Sequence, residues 1–420
     1  MKQFINIILV GPKGHGKSTL AGRILLDLNK VTEVRLEDVK KEAVAAKKPE
    51  SFLAFLVDRD IAERAKGQTI NLSYLEPIKT NGNIIKLVDS PGDPVYVTNS
   101  IEGLFQSDVP LIVIDVDELN KKQIIPTSDA QGIPELYELF LSLYSLNFRE
   151  FIFAINKMDT VNYSQDVFEN AVQKIKDALV SIGFGDVNTV FIPVSALNGE
   201  NIVSPSKKMD WYTNKSLLQN LSILKSPKRY ENLPFRLPIF RTFMGGRVVS
   251  GVVMSGKISL GEKIVIMPPQ KSGVVRQIEH WGESLNEVTA GLDVGIEIGL
   301  VQKQFFSKGY IVSDITNPPS VATRIKVALK VFNRRGIWVN YAPLLYVHAL
   351  HTTAKIVKLE DANGNTVNKL PQGSTGYAVL EIKGEKAIAV DTYEENPVIG
   401  RILLKDSYKT VAGGKIIEIL

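Results

Sequence analysis

The sequence predicts an α/β domain with a mostly parallel sheet, followed by segments built only of short strands. Three observations carry this reading. The stretch Gly11-Pro12-Lys13-Gly14-His15-Gly16-Lys17-Ser18-Thr19 lies between an apolar run, Phe4 to Val10, and a helix-like one, Leu20 to Leu28. Residues 1–228 alternate strand-like and helix-like stretches, the pattern of a parallel sheet covered by helices. After Ser226, Gly and Pro punctuate short apolar runs at close intervals, as in small antiparallel barrels.

Taken in order, strands are expected at Ile5–Val10, Ile70–Ile78, Ile84–Val88, Leu111–Val116, Phe151–Ile155 and Val190–Val194, and helices at Lys17–Leu28, Pro134–Leu146 and Val167–Ile182. A polar insert, Glu33 to Lys66, reads as exposed helix, first Leu36–Lys48 and then Phe52–Arg64. Ser226–Pro234 is a linker, and Leu237–Phe240, Gly251–Met254, Lys263–Met267 and Gly273–Gln277 are strand candidates beyond it. Asn317-Pro318-Pro319 marks a second linker. Strands are then expected at Arg324–Val331, Leu344–His348, Ala354–Leu359, Tyr377–Ile382, Ala387–Asp391, Gly400–Lys405 and Lys415–Ile419, with a hairpin turn at Asp361–Asn365.

Composition narrows the function classes. The 420 residues are 44% hydrophobic and 23% charged, room for roughly two to four soluble domains. No apolar run reaches membrane-spanning length, since Val109 to Val116 is interrupted by Pro110 and Asp115. The first strand takes the place a signal peptide's apolar region would occupy, so a cytoplasmic protein is expected. The absence of cysteine excludes disulfides, thiol catalysis and thiolate metal sites. Only four histidines (His15, His280, His348, His351) are present, which disfavours structural zinc. Residues 1–228 carry a formal charge of −2 and residues 229–420 one of +7. That balance suits an RNA partner, and equally suits plain solubility.

Four motifs point to a nucleotide. The first stretch fits G-x-x-x-x-G-K-[ST] in its strand–loop–helix setting. Gly11, Lys13, Gly14, His15, Gly16 and Thr19 would present backbone N–H groups to phosphate, Lys17 would reach the β and γ phosphates, and Ser18 would ligate Mg²⁺. Thr69, ahead of the expected second strand, would close on Mg²⁺ and the γ-phosphate. Asp89-Ser90-Pro91-Gly92 follows the third strand-like run: Asp89 would hold Mg²⁺ through water, and the Gly92 N–H would meet the γ-phosphate. Asn156-Lys157-Met158-Asp159 reads guanine, because the Asp159 carboxylate accepts from N1 and N2, a donor pair that adenine lacks. Ser195-Ala196-Leu197 would supply a backbone N–H for guanine O6. Together the motifs predict GTP and GDP, with Mg²⁺, as ligands.

Further stretches carry a family resemblance. They are Phe55-Leu56-Val57-Asp58-Arg59, Glu63-Arg64, Gly67-Gln68-Thr69-Ile70-Asn71-Leu72, Trp211-Tyr212, Ser255 to Ile264, Asn340-Tyr341-Ala342-Pro343-Leu344 to His348, Gly400-Arg401 and Lys409-Thr410-Val411. On these the chain resembles the elongation factor 1-alpha family of translational GTPases, in its archaeal and eukaryotic branch. The resemblance implies an α/β P-loop GTPase domain with a mostly parallel sheet (1–228), then two antiparallel β-barrel domains (229–320 and 321–420). It implies the ribosome and tRNA, or a tRNA-mimicking protein, as partners, a nucleotide-exchange factor, no membrane, and a monomer.

The departures from the family sit at the catalytic step. Family members follow D-x-P-G with a histidine that orients the attacking water; here the position is Asp93. The apolar pair flanking that histidine is replaced by Lys13 and Gln68. Segment Phe240–Val249, near the acyl-tRNA end in relatives, is a few residues short, although Glu279 stands where the family glutamate packs on the terminal adenosine. With Asp93, Thr69, Gly92 and Lys17 as the catalytic set and Lys13 as a candidate replacement cation, the first expectation is a translational GTPase with slow or atypical hydrolysis. The second is a GTP/GDP-sensing binding module with vestigial catalysis, and the third an ordinary aminoacyl-tRNA carrier.

Overall fold

The computed structural model describes residues 3–58, 63–64, 68–80, 82–127, 133–300, 306–384 and 387–420. They form two compact units, Met1–Phe140 with Phe148–Pro227, and Leu141–Asn147 with Lys228–Leu420.

In the first unit, β1 (Gln3–Val10), β2 (Ser73–Tyr74), β3 (Ile78–Lys79), β4 (Asn83–Asp89), β5 (Val109–Asp115), β6 (Glu150–Asn156) and β7 (Asn188–Pro193) make one sheet in the order β2-β4-β1-β5-β6-β7, with β3 on β4. The pairs β1–β4, β1–β5, β5–β6 and β6–β7 are parallel. Ile5, Ile7, Ile8 and Leu9 are all fully buried, the unbroken apolar run of a strand covered on both faces. All the parallel strands point their carboxyl ends to the same edge, where ligands bind in such sheets.

Several expected elements change length. Ile70–Ile78 is not one strand: Ser73–Tyr74 and Ile78–Lys79 pair separately, and antiparallel, with β4. Pro77, between them, has no N–H for a ladder. The first insert helix runs Glu33–Ala45, starting before Leu36 because the Thr32 hydroxyl caps it by accepting from the Arg35 N–H at 3.3 Å. The second runs Phe52–Val57 and breaks where Asp58 turns extended, and Glu63–Arg64 are again helical. Arg59 and Gly67 of the resembling stretches, and much of the expected helix to Arg64, lie outside the described residues. The helix expected from Val167 begins at Gln165, capped by Ser164, and stops at the left-handed Gly183.

In the second unit an eight-stranded antiparallel sheet covers 236–314. Arg236–Pro238 pairs with Ile311–Asp314, and Arg241–Phe243 pairs with Val248–Val252, so one run of chain receives both ends of the sheet. In 324–419 six strands close into a ring, because Leu344–Val347 pairs both with Arg401–Asp406 and with Leu350–Asp361. Arg324–Val331 shows the alternation expected of a barrel strand, with Ile325, Val327, Leu329 and Val331 inward. Inside this unit Arg236 donates to both carboxylate oxygens of Asp391, at 2.7 and 3.1 Å, and the pair is buried. Among the described residues no helix is long and apolar enough to cross a membrane.

Candidate nucleotide site

The loop 11–16 leaves β1 and enters the helix Lys17–Asp27, whose N-cap, Gly16, sits at φ +91°. A side chain there would be strained by the backbone and would overlap the amide of Asn156. Asn156 itself ties two loops together. Its Nδ2 donates to the His15 carbonyl at 2.9 Å, and its Oδ1 accepts from the Ala196 N–H at 2.9 Å. The phosphate loop and the guanine-reading loop are therefore held by one buried side chain.

Lys17 is buried, and its ammonium donates to the carbonyls of Gly11 and Pro12 at 2.9 and 3.0 Å. Burial pulls its pKa down to about 8, against the opposing charges of Asp89, Glu135 and Asp58. A neighbouring phosphate would favour the charged form further. His15 is buried beside it; its Nδ1 accepts from the Asp115 N–H at 3.0 Å, and its Nε2 lies 3.3 Å from Glu118. Burial pushes the His15 pKa down to about 4, so the ring is neutral.

Ser18, Thr69 and Asp89 come together as the motifs require. The Ser18 hydroxyl donates to Asp89 Oδ2 at 2.6 Å and lies 2.8 Å from the Thr69 hydroxyl. Thr69 in turn is 2.9 Å from Asp58 Oδ1. Two hydroxyl protons thus serve three oxygen–oxygen contacts. Burial raises Asp58 to about 7 and Asp89 to about 6, and Asp89 Oδ1 is buried with no hydrogen-bond partner. A divalent cation would resolve this excess of acceptors and keep both carboxylates ionised. Among the described residues no group of three or more His, Cys, Asp or Glu is arranged for a metal. Hydroxyls with a carboxylate nearby are the donors Mg²⁺ takes when phosphate and water complete its octahedron, so the residues present fit Mg²⁺.

The segment bearing Thr69 is held by groups that the sequence motifs did not flag as functional. Glu63 Oε1 accepts from the N–H groups of Ile70 and Asn71 at 2.8 and 2.9 Å. Arg64 donates to the Asp58 carbonyl at 2.7 Å and to Glu42 at 2.7 Å. Gly92 packs on the phosphate loop so closely that a Cβ would overlap Lys17 Nζ. Asp93, next in the chain, has both oxygens engaged: Oδ1 accepts from the Val95 N–H at 3.0 Å, and Oδ2 accepts from Lys13 Nζ at 2.9 Å. Lys13, read as a loop lysine or a replacement cation, also donates to Gln68 Oε1.

At the guanine end, Asp159 accepts from the Ser195 hydroxyl, and Ser195 and Ala196 are buried while Leu197 is exposed. Arg23, another residue the sequence reading missed, donates to the carbonyls of Ala196 and Leu197. Lys157 pairs with Asp115 at 2.7 Å. Asp115 also accepts from the Asp117 and Glu118 N–H groups through its other oxygen. Only the tertiary fold reveals Arg23 and Asp115, because neither belongs to a local motif.

The second unit has a cavity of about 400 Å³ lined by Arg241, Phe243, Glu279, Trp281 and Asp293 among others. Asp293 and Ser250 fix the Arg241 guanidinium at 2.9 and 3.2 Å.

Comparisons with known proteins agree along the chain. The family described as "Elongation factor Tu GTP binding domain" matches residues 2–236, "Elongation factor Tu domain 2" matches 246–313, and "GTP-eEF1A C-terminal domain-like" matches 324–417. The elongation factor 1-alpha of Nanoarchaeum equitans is 33% identical over 428 residues, covering 98% of this chain and 96% of that one. Its counterpart from Caldivirga maquilingensis is 35% identical over 429 residues, covering 100% and 95%. The GTPase-like domain of S. cerevisiae Ski7 bound to GTP has the same fold, with a TM-score of 0.83 at 21% identity over 99% of this chain and 97% of that one. SelB from Methanococcus maripaludis with a GTP analogue has a TM-score of 0.68 at 21% identity over 100% of this chain and 80% of that one.

Proposed function

The chain belongs to the elongation factor 1-alpha family of translational GTPases, and on that premise we propose that it binds GTP and GDP with Mg²⁺ and works with the ribosome and a tRNA or tRNA-shaped protein, hydrolysing GTP slowly or by an atypical route. Ser18 and Thr69 would hold Mg²⁺ directly and Asp89 through water. The phosphate-loop residues 11–19, with Asn156, Lys157, Asp159 and Ser195–Leu197, would hold the nucleotide. Mg²⁺ supplies charge neutralisation at the phosphates. We place domain boundaries at 228 and 320; the gap between the matched spans 246–313 and 324–417 supports the second.

The observation that carries the slow step is the engagement of Asp93. Its two oxygens accept from Val95 and Lys13, which places an ion-paired acid where relatives carry a water-orienting histidine. A carboxylate, even when ion-paired, supplies neither the donor nor the cation that the transition state needs. The RNA side of the reading rests on the +7 balance of residues 229–420 and on the cavity beside Glu279, where an acyl-adenosine end would pack. A cytoplasmic monomer served by an exchange factor completes the reading.

The test is GTP turnover by the purified protein with and without ribosomes, at matched nucleotide occupancy. Slow basal turnover, stimulated by ribosomes, is expected. A basal rate equal to that of histidine-bearing relatives would overturn the slow step, and binding to neither ribosomes nor tRNA would overturn the translational reading. No turnover despite tight GTP binding would favour the GTP/GDP-sensing module instead, a reading that the occupied Asp93 also supports. Asp93→His is expected to raise turnover in the same assay.

A further inference from the structure

Three polar side chains meet where the family has an apolar pair around a histidine. Lys13 comes from the phosphate loop, Gln68 from the residue before Thr69, and Asp93 from the residue after Gly92. Lys13 Nζ donates to both Gln68 Oε1 and Asp93 Oδ2, and Gln68 Nε2 reaches the Tyr96 hydroxyl at 3.5 Å. Gly92, adjacent to Asp93, lies so near the phosphate loop that a Cβ on it would overlap the Lys17 ammonium and the Lys13 backbone. Lys17 and the Gly92 N–H are the groups that meet a γ-phosphate in this loop type. On that placement an acid one residue from Gly92 would stand beside the one phosphate that separates GTP from GDP.

We propose that Lys13 is a specificity-determining residue: by pairing with Asp93 it neutralises and turns aside a carboxylate that would otherwise repel the γ-phosphate, and so sets the preference for guanosine triphosphate over diphosphate. The hydrogen bond from Lys13, with that from the Val95 N–H, also holds the Asp93 carboxyl below the usual carboxylate range, so the acid stays ionised and needs its partner. A diphosphate ends short of this position and is indifferent to the pair. The Lys13 side chain is half exposed, at 53%, and that of Asp93 is 18% exposed, so salt screens the effect in part.

This rests on the GTP-binding reading but not on the ribosomal or slow-hydrolysis parts of it, and an analogue that cannot be hydrolysed keeps the two apart. Affinities for guanylyl imidodiphosphate and GDP are measured by calorimetry, with Mg²⁺ at low salt, for the wild type, Lys13→Ala, Asp93→Ala and the double variant. The readout is the ratio of the two affinities within each protein, which cancels any general loosening of the loop, and GDP binding reports that each variant is folded. Lys13→Ala is expected to lower the triphosphate-to-diphosphate ratio about tenfold. The double variant should return to within about twofold of wild type, and added salt should shrink the Lys13→Ala deficit. An unchanged ratio in Lys13→Ala overturns the proposal. So does an equal deficit in Lys13→Ala and the double variant, because Lys13 would then act on the phosphate directly and not through Asp93. Failure of every protein to bind either nucleotide removes the premise as well, and the GDP arm registers that result separately from any ribosome assay.

Discussion

In the proposed reading Asp159 would carry guanine selectivity on one carboxylate. Its bond from Ser195 fixes the carboxylate at the edge of the site, next to the loop whose Ala196 N–H is anchored by Asn156. Asp159→Asn removes the ionised acceptor and turns an amide N–H toward the guanine N2 donor. Hydrogen bonds to charged groups contribute about 1.5–3 kcal/mol, so preference for GDP over ADP should fall by about tenfold to a hundredfold in a competition binding assay. Unchanged discrimination would show that guanine is read elsewhere. This residue was legible in the sequence because N-K-x-D is local, four positions whose chemistry travels together. Asp58 was not. Its contact with Thr69 depends on a loop closing back on the phosphate loop, and nothing in the run from Phe55 to Asp58 encodes that closure in isolation.

The segment that matters most is the one leading to Thr69. Among the described residues between Asp58 and Ser73 there is no strand, and side chains hold the chain: Glu63 accepts two backbone N–H bonds, and Arg64 donates to the Asp58 carbonyl. Strand propensity alone turned Ile70–Ile78 into one strand, but the Glu63 carboxylate takes the Ile70 and Asn71 donors that a ladder would have used. The helices were better read, because caps are local chemistry; Ser164 and Gly183 bracket Gln165–Ile182. Glu63→Ala leaves two amides of the Thr69 segment without their acceptor. Hydrogen exchange at Ile70 and Asn71 should accelerate by about tenfold or more, with weaker Mg²⁺-dependent binding of a GTP analogue. Exchange at the wild-type rate would mean that other contacts fix this segment.

At the scale of the whole chain, alternation of buried and exposed positions made the strands of residues 324–419 visible, yet the order of pairing was not. Ring closure requires Leu344–Val347 to meet Arg401–Asp406, and the Arg236–Asp391 pair joins residues 155 apart; neither partner announces the other. His348 belongs to this class. It lies buried after Val347 at φ +39°, with Nε2 donating to the Ala389 carbonyl at 3.0 Å and Nδ1 without a hydrogen-bond partner. Burial drives its pKa down to about 4, opposed by the Ala389 bond. The unfolded chain, with an ordinary histidine near 6.5, takes up a proton that the folded chain refuses. The stability His348 contributes is therefore fully present above about pH 6.5 and is lost as pH falls through about 4, roughly 3 kcal/mol in all. His348→Asn tolerates the left-handed backbone and cannot titrate. In urea unfolding from pH 7 to 4, other acid-sensitive groups act on both proteins alike, so the stability gap between wild type and His348→Asn should shrink as pH falls. A gap that stays constant would mean that His348 is solvated or paired in the folded state and carries no acid sensitivity.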